Sequence, residues 1–205
     1  MRTSFLLCVA AALSAGCHSS GSTGGSNVSV SGTVGGQLLS FVDVGSYASQ
    51  GADLQGGISF AEVFLTSRPF ACGWFDGENA SKESLSTLSI LVQSNGAPPL
   101  APFAAGTYAI GNTFDRDAGT SVSAQAQVIV TDATCGTAFQ CGAASGSVTF
   151  TSIAADTIAG TFDVTFQSCS TPDGGSTSMD HLTGTFSAPV CKTIALGTEA
   201  GACHP

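Results

Sequence analysis

The sequence predicts an all-β protein, with a single antiparallel β-sandwich as the preferred architecture and a β-barrel as the alternative. Apolar and polar residues alternate with a period of two in several segments, which is typical of strands with one buried face. Glycine, serine and threonine dominate between these segments and favour turns. Helical signals are weak, since only residues 77–88 could hold one or two helical turns. We therefore expect about eight to ten short strands.

Residues 1–16 have the layout of a secretory signal peptide. Arg2 supplies a positive charge, an apolar stretch runs from Phe5 to Leu13, and small residues follow. This stretch is shorter than the roughly 20 apolar residues that a transmembrane helix needs. The segment SAGC, which ends at Cys17, resembles the lipobox of bacterial lipoproteins, although Leu13 stands one residue earlier than the usual leucine of that family. The resemblance implies that Cys17 is lipidated and becomes the mature N-terminus.

Counting cysteines favours the same interpretation of the N-terminus. Ordinary signal-peptidase cleavage is the alternative, because residues 10–12 match a generic A-x-A site. Removal of residues 1–16 and acylation of Cys17 would leave an even set of cysteines, whereas a free Cys17 would leave an odd one. An exported chain is expected to join such cysteines in disulfides. The set consists of Cys72, Cys135, Cys141, Cys169, Cys191 and Cys203.

The chain after the signal peptide divides into a linker and one domain. Residues 17–27 hold the lipidated cysteine and a Gly/Ser run, and residues 28–205 form a disulfide-stabilised β domain. A flexible linker of about ten residues has a root-mean-square reach of roughly 17 Å, enough to lift a domain clear of the lipid head groups. His18 follows the cysteine, where the lipoprotein family uses aspartate for inner-membrane retention. We expect a lipid-anchored envelope protein, at the outer membrane by this analogy.

Several segments are predicted to be strands from their alternation. The longest runs from Ser121 to Val130, and residues 87–93 and 145–151 repeat the pattern. Residues 28–32, 58–65 and 106–111 are shorter candidates.

The C-terminal third contains an internal repeat. Residues 157–166 (TIAGTFDVTF) and 181–190 (HLTGTFSAPV) share the motif Gly-Thr-Phe and flank a Pro-Asp-Gly-Gly turn. Two like strands around a turn predict an antiparallel hairpin, with Phe162 and Phe186 facing one core.

The same region resembles a group of β-rich bacterial lipoproteins. Their pattern is Gly-x-Val-Thr-Leu/Phe, then Gly-Thr/Ser-Phe-Asp, then Gly-Thr-Phe and a closing cysteine; here it is SGSVTF, AGTFD and TGTFSAPVC. The similarity covers about 50 residues and implies an envelope β domain. No catalytic residues are established for that group, so none is carried over.

Position along the chain also suggests how the cysteines pair. Only the five residues GTAFQ separate Cys135 from Cys141, and they are interpreted as a loop that turns. Cys203 lies in a tail with few apolar residues, which a disulfide to Cys169 would fasten. Six cysteines allow fifteen connectivities. The favoured set is Cys135–Cys141, Cys72–Cys191 and Cys169–Cys203.

Composition excludes some classes of partner. The net charge is −9, and charged residues make up only 9% of the chain. Phosphate contacts need clustered Lys or Arg, so nucleic acid is not an expected partner. No C-x-x-C pair exists, and His181 is the only histidine away from the termini, which argues against zinc. No cofactor is expected.

Four sets of residues are candidate sites. Asp115 and Asp117 precede Gly119 and form a weak Ca²⁺ candidate, but a solvated loop is favoured because no third acidic ligand follows at EF-hand spacing. Asp180 and His181 adjoin, yet a triad needs geometry that adjacency does not supply, and no G-x-S-x-G motif occurs. His181 is expected at a strand start, partly exposed.

The remaining two sets concern aromatic residues and carboxylates. Trp74 and Phe75 could form a binding platform, although packing over a neighbouring disulfide is favoured. Asp43, Glu62 and Asp163 are among several candidates for the carboxylate pair of a glycosidase, but nothing in the sequence singles out two of them.

The predicted anchor, the predicted fold and the candidate residues together indicate a function. We expect a non-enzymatic, membrane-anchored envelope lipoprotein that binds a protein or glycan partner or contributes to the envelope. The alternative is a secreted or envelope hydrolase that uses a carboxylate pair. No catalytic residue is assigned.

Overall fold

The structure is a computed structural model. It describes residues 27–41, 47–53, 58–68, 84–95, 103–111, 122–171 and 179–190. All regular secondary structure in these ranges is β-strand, which confirms the all-β prediction. The strands are β1 (Asn27–Val34), β2 (Gln37–Leu38), β3 (Tyr47–Asp53), β4 (Ile58–Thr66), β5 (Ser86–Asn95), β6 (Gly106–Ile110), β7 (Val122–Thr131), β8 (Thr137–Ile153), β9 (Thr157–Ser170) and β10 (Asp180–Pro189).

The ten described strands form one mixed sheet. Their order is β2-β1-β10-β9-β8-β6-β7-β5-β4-β3, with an additional pairing between β7 and β8. The pairing of β6 with β7 is parallel, and the other described pairings are antiparallel. The sheet is not closed into a barrel. It folds over so that β3 lies near β10 and one hydrophobic core fills the interior, as in a β-sandwich.

The alternating patterns correctly predicted which side chains enter this core. In β5, Leu88, Ile90 and Val92 are fully buried, and Val128 of β7 packs in the same cluster. Val122 is different: it belongs to the apolar face of the pattern but is 54% exposed. It is the first residue of β7, where the core ends.

The weak helical signal at residues 77–88 was wrong where it can be checked. Residues 86–88 begin β5 and pair with β7, with Leu88 opposite Val128. Residues 77–83 lie outside the described ranges. Alternation in TLSILVQ therefore outweighs the capping signals that precede it, because burial of Leu88, Ile90 and Val92 needs an extended chain.

The predicted hairpin of β9 and β10 is confirmed. Phe162 lies opposite Gly184, and Phe186 lies opposite Gly160, so each copy of Gly-Thr-Phe places its ring beside the glycine of the other copy. Both rings are 3% exposed. A Cβ at Gly184 would come within 2.6 Å of the Phe162 ring, and one at Gly160 within 2.8 Å of the Phe186 ring. In this repeat, the glycine of each copy therefore leaves the space that the phenylalanine ring of the other copy occupies.

The disulfide in the described region joins Cys141 to Cys169. These residues lie directly opposite each other on β8 and β9, with their Cα atoms 4.1 Å apart, and both are buried. The predicted pairs Cys135–Cys141 and Cys169–Cys203 are therefore wrong.

The reason is that the supposed loop between Cys135 and Cys141 is a strand. Residues 137–140 belong to β8, and an extended chain advances about 3.4 Å per residue, which carries Cys141 away from the turn. Cys135 remains in that turn with a φ of 64° and is itself disulfide-bonded. Cys17 and the predicted pair Cys72–Cys191 lie outside the described residues.

Candidate functional site

The sheet forks where β6 enters between β7 and β8. The first part of β8 pairs with β7, up to Gly142 opposite Gln127, and a later part pairs with β6, from Gly146 opposite Ile110. The end of β6 also reaches β7, because the Gly111 backbone N–H donates to the Ala124 carbonyl at 3.1 Å. Strands β7 and β8 thus separate beyond Gln127 and Gly142, and the tip of β6 fills only part of the gap.

Irregular backbone in β8 makes this change of partner feasible. Its register against β9 shifts between Gly142 and Ala143 and again between Ala143 and Ser145. Such bulges bend a strand and increase its twist. Gly146 follows with a φ of 134°, and a Cβ there would overlap the Asp163 carbonyl, so glycine is required at this point.

A cleft of about 270 Å³ opens at the fork. Four polar side chains from β4, β5 and β7 line it, together with Leu91 and the glycines of the fork. The polar side chains alternate with buried neighbours along their strands, so they lie on the face of the sheet opposite the core. They are Glu62, Ser89, Gln125 and Gln127.

Glu62 is the ionisable group of this lining. Its flanking residues Ala61 and Val63 are fully buried, whereas its own side chain is half-buried on the cleft side. The Ser89 hydroxyl donates a hydrogen bond of 2.9 Å to Glu62 Oε1. Burial raises the pKa of Glu62 above its ordinary value, and the hydrogen bond from Ser89 opposes part of that increase. Burial therefore disfavours the charged form of this carboxyl relative to that of an exposed glutamate.

The two glutamines offer unused hydrogen-bonding groups. Neither the Gln125 nor the Gln127 side chain makes a hydrogen bond within the part of the chain that the structure describes. Backbone is accessible beside them, since a Cβ placed at Gly111 or at Gly142 would meet no atom within 4 Å. The cleft thus combines free amides, one carboxyl and open backbone.

Asp180 and His181, adjacent in sequence, point in opposite directions. Asp180 is buried and accepts hydrogen bonds from the Gly35 backbone N–H at 2.6 Å and from the Thr33 hydroxyl at 3.3 Å. It fastens the turn between β1 and β2 to β10. A strand sends neighbouring side chains to opposite faces, which rules out a dyad of these two residues.

His181 lies near a strand start and is partly exposed, as expected. Its Nε2 is 2.7 Å from Asp163 Oδ1, and the two side chains are 53% and 66% exposed. A hydrogen bond between two exposed side chains contributes little to stability, so this contact is a surface feature of the β9–β10 hairpin.

The structure does not bring the described carboxylates of the hydrolase hypothesis together. Glu62 is on β4 and Asp163 is on β9, with four strands between them in the sheet. Among the described residues, no three His, Cys, Asp or Glu side chains cluster as metal ligands. The other candidates lie outside those residues: Asp43, Trp74, Phe75, Asp115 and Asp117.

Sequence reasoning did not predict the fork, because no local sequence pattern indicates where a strand enters between two others. The alternation assigned Gln125 and Gln127 to the polar face of a strand, which is correct, but it carries no information about which strands neighbour β7 on each side. One signal was present: the glycines in CGAASGS interrupt an otherwise alternating strand, and a glycine inside a strand often marks a bulge or a close approach.

In comparisons with protein-family models, curated proteins and solved structures, the chain has no match. Within the described residues, no helix has the length and apolarity to span a bilayer. The cleft and the sequence around Cys17 are therefore the features of this chain that bear on its function.

Proposed function

We propose that the protein is a lipid-anchored envelope protein that is held at the outer membrane through Cys17. Its β domain binds a partner at the cleft beside the fork. The proposed membrane anchor is supported by the lipobox-like segment SAGC and by the Gly/Ser run that follows it. The linker gives the domain the freedom to present its surface to a partner.

One observation carries the binding function. In the cleft, two amide side chains that make no hydrogen bond within the described structure line the same concave surface as a single carboxyl. Polar groups that converge in a concave site are the usual means by which a protein orients a ligand. The opposite face of the same strands packs apolar side chains into the hydrophobic core, so the polar cleft lies on strands that the core supports.

Hydrolysis is the second candidate, and the raised pKa of Glu62 is what favours it. A general acid in a glycosidase has this property. Such an enzyme also needs a second carboxylate, about 5–9.5 Å away. Among the described residues, Glu62 is the only carboxylate that lines the cleft, which favours binding over hydrolysis.

The anchor is tested by fractionation and mass spectrometry. We expect the mature N-terminus to carry lipid on Cys17 and the protein to sediment with membranes. Cys17→Ser should abolish both, whereas Cys8→Ser, inside the predicted signal peptide, should leave them unchanged. An unmodified N-terminus, or membrane retention of Cys17→Ser, would contradict the anchoring proposal.

Binding and hydrolysis are separated with the mature, lipidated chain in detergent. Peptidoglycan and lipopolysaccharide preparations are incubated with the wild type and with Glu62→Gln, and reducing ends are measured. We expect no release by either protein. Release by the wild type that Glu62→Gln abolishes would overturn the binding proposal in favour of the hydrolase.

A further inference from the structure

We infer that the fork cleft takes a neutral, polyhydroxylated ligand of the sugar class. This inference rests on the proposed binding function and specifies the chemistry of its ligand. It depends on three properties of the cleft: its charge, the arrangement of its hydrogen-bonding groups, and its open glycines.

The charge of the lining argues against ionic ligands. No Lys, Arg or His of the described residues lines the cleft, and its one ionisable group is a carboxyl. An anion would meet Glu62 without a compensating cation, and the net charge of −9 would repel it further. A multivalent cation would find only one carboxylate, whereas such sites need several oxygen ligands with charge.

The hydrogen-bonding groups form a compact array. Leu91 lies opposite Glu62 on one side and opposite Gln125 on the other, and Ser89 lies opposite Gln127. Neighbouring strands are about 4.8 Å apart, and alternate residues of one strand about 7 Å, so these groups surround a patch of single-ring dimensions. Each amide offers donors and an acceptor, which suits hydroxyl groups because these also do both.

Leu91 adds the apolar component that a sugar needs. It occupies the centre of the array, between Glu62 and Gln125 in the register, and it lines the cleft. The ring carbons of a saccharide carry C–H groups that can pack against such a side chain while the hydroxyls reach the polar groups around it.

Space at the fork sets the size of the ligand. Gly111 and Gly142 leave the backbone open, and glycine in a strand marks a place where another molecule can approach closely. The volume of about 270 Å³ is slightly below the range of about 300–1,000 Å³ that is typical of ligand sites. The cleft therefore suits one sugar unit, free or at the end of a longer glycan.

The test is an NMR titration of the mature, lipidated, ¹⁵N-labelled chain in detergent. The probes are N-acetylglucosamine, maltose and lactose as neutral sugars, spermidine as a cation, and inorganic phosphate as an anion. We expect at least one sugar to shift the side-chain amide signals of Gln125 and Gln127 and the backbone signal of Gly142, with saturation. Shifts produced by spermidine or phosphate alone, or by none of the probes, would overturn the inference.

Matched variants locate the binding. Gly142→Val fills the cleft, and Gln125→Ala removes one amide; each should weaken the sugar about tenfold or more. Gln37→Ala is the control, because Gln37 is an exposed glutamine on β2 and does not line the cleft. Unchanged affinity in both Gly142→Val and Gln125→Ala, with the fold verified by thermal unfolding, would contradict the site. Fractionation of Cys17→Ser does not depend on this result, so failure of the ligand class and failure of the anchor are distinguishable.

Discussion

The β9–β10 hairpin and the β6–β7–β8 fork use glycine in opposite ways. In the hairpin, Gly160 and Gly184 lie beneath the rings of Phe186 and Phe162, so the space that they leave is filled. At the fork, Gly111 and Gly142 leave space that no described atom occupies. The first arrangement maximises apolar burial, and the second keeps polar groups and backbone accessible.

The two regions also differ in regularity. Strands β9 and β10 pair over ten consecutive residues without a bulge, from Asp180 opposite Phe166 to Pro189 opposite Thr157. Strand β8 has three register shifts against β9 and changes partner from β7 to β6. We therefore expect stability to depend on the β9–β10 hairpin and on the disulfide that joins β9 to β8, and binding to take place at the fork.

Truncation of the hairpin core should have the largest effect. We expect Phe162→Ala to lower the free energy of unfolding by about 3–5 kcal/mol, because the ring is buried and its removal leaves a cavity beside Gly184. Chemical denaturation of the mature chain measures this. Leu38→Ala is the control, since Leu38 is 79% exposed, and it should change stability little. Equal losses in the two variants would refute the assigned role of the repeat.

Loss of the Cys141–Cys169 bond should rank next. The bond joins residues 28 apart, and chain entropy predicts a loss of about 3.5 kcal/mol when it is removed. The double variant Cys141→Ser, Cys169→Ser is compared with the wild type by denaturation. Peptide mapping under non-reducing conditions should link the two cysteines directly; a peptide that joins Cys135 to Cys141 would contradict the structure.

The hairpin was predictable because its determinants are local. Phe162, Phe186 and their glycines recur in a repeat that can be recognised without knowing the fold. The disulfide was not, because five residues between Cys135 and Cys141 suit either a loop or a strand. These residues are extended because β8 pairs with β7 and β9, and the segment GTAFQ contains no pattern from which this long-range pairing could be predicted.

Glu62 illustrates the same limit at the candidate site. The sequence predicts its strand, but no sequence pattern distinguishes Glu62 from the other carboxylates. What distinguishes it is its burial beside Ser89, in a cleft that the amides of β7 also line, and this arrangement arises from the order of β4, β5 and β7 in the sheet. Partner order is a property of the whole chain, so the candidate site emerges only with the fold.

A substitution in the turn between β7 and β8 should have the smallest effect on stability, and this effect should depend on pH. The carboxylate of Asp132 accepts hydrogen bonds from the Thr134 hydroxyl at 2.8 Å, the Thr134 backbone N–H at 2.7 Å and the Gly136 backbone N–H at 2.9 Å. Chiefly through Thr134, these bonds lower the pKa of Asp132 below its ordinary value. Its contribution to stability is present above the ordinary carboxyl pKa and is lost as pH falls through the lowered value.

Asp132→Asn should therefore reduce the denaturation midpoint slightly at pH 7, and the difference should disappear in acid. Asp156→Asn, at an exposed position in the turn between β8 and β9, provides the matched control. A deficit of Asp132→Asn that persists unchanged below the carboxyl range would show that the carboxylate charge is not what the turn uses.

The central claim is that stability and binding depend on different regions, and that the cleft holds a carboxyl whose burial is unfavourable. The pH dependence of stability at Glu62 tests this claim most directly. Because its pKa is raised in the folded state, the folded protein binds its proton more tightly than the unfolded chain, and stability falls as pH rises from the ordinary glutamate value through the raised one. Denaturation of the wild type and of Glu62→Gln across this interval measures the effect. We predict that Glu62→Gln becomes progressively more stable relative to the wild type as pH rises and that the difference levels off above the raised pKa. A difference that does not change with pH, or one that grows in favour of the wild type, would contradict the assignment of Glu62 to a cleft built for binding at the expense of stability.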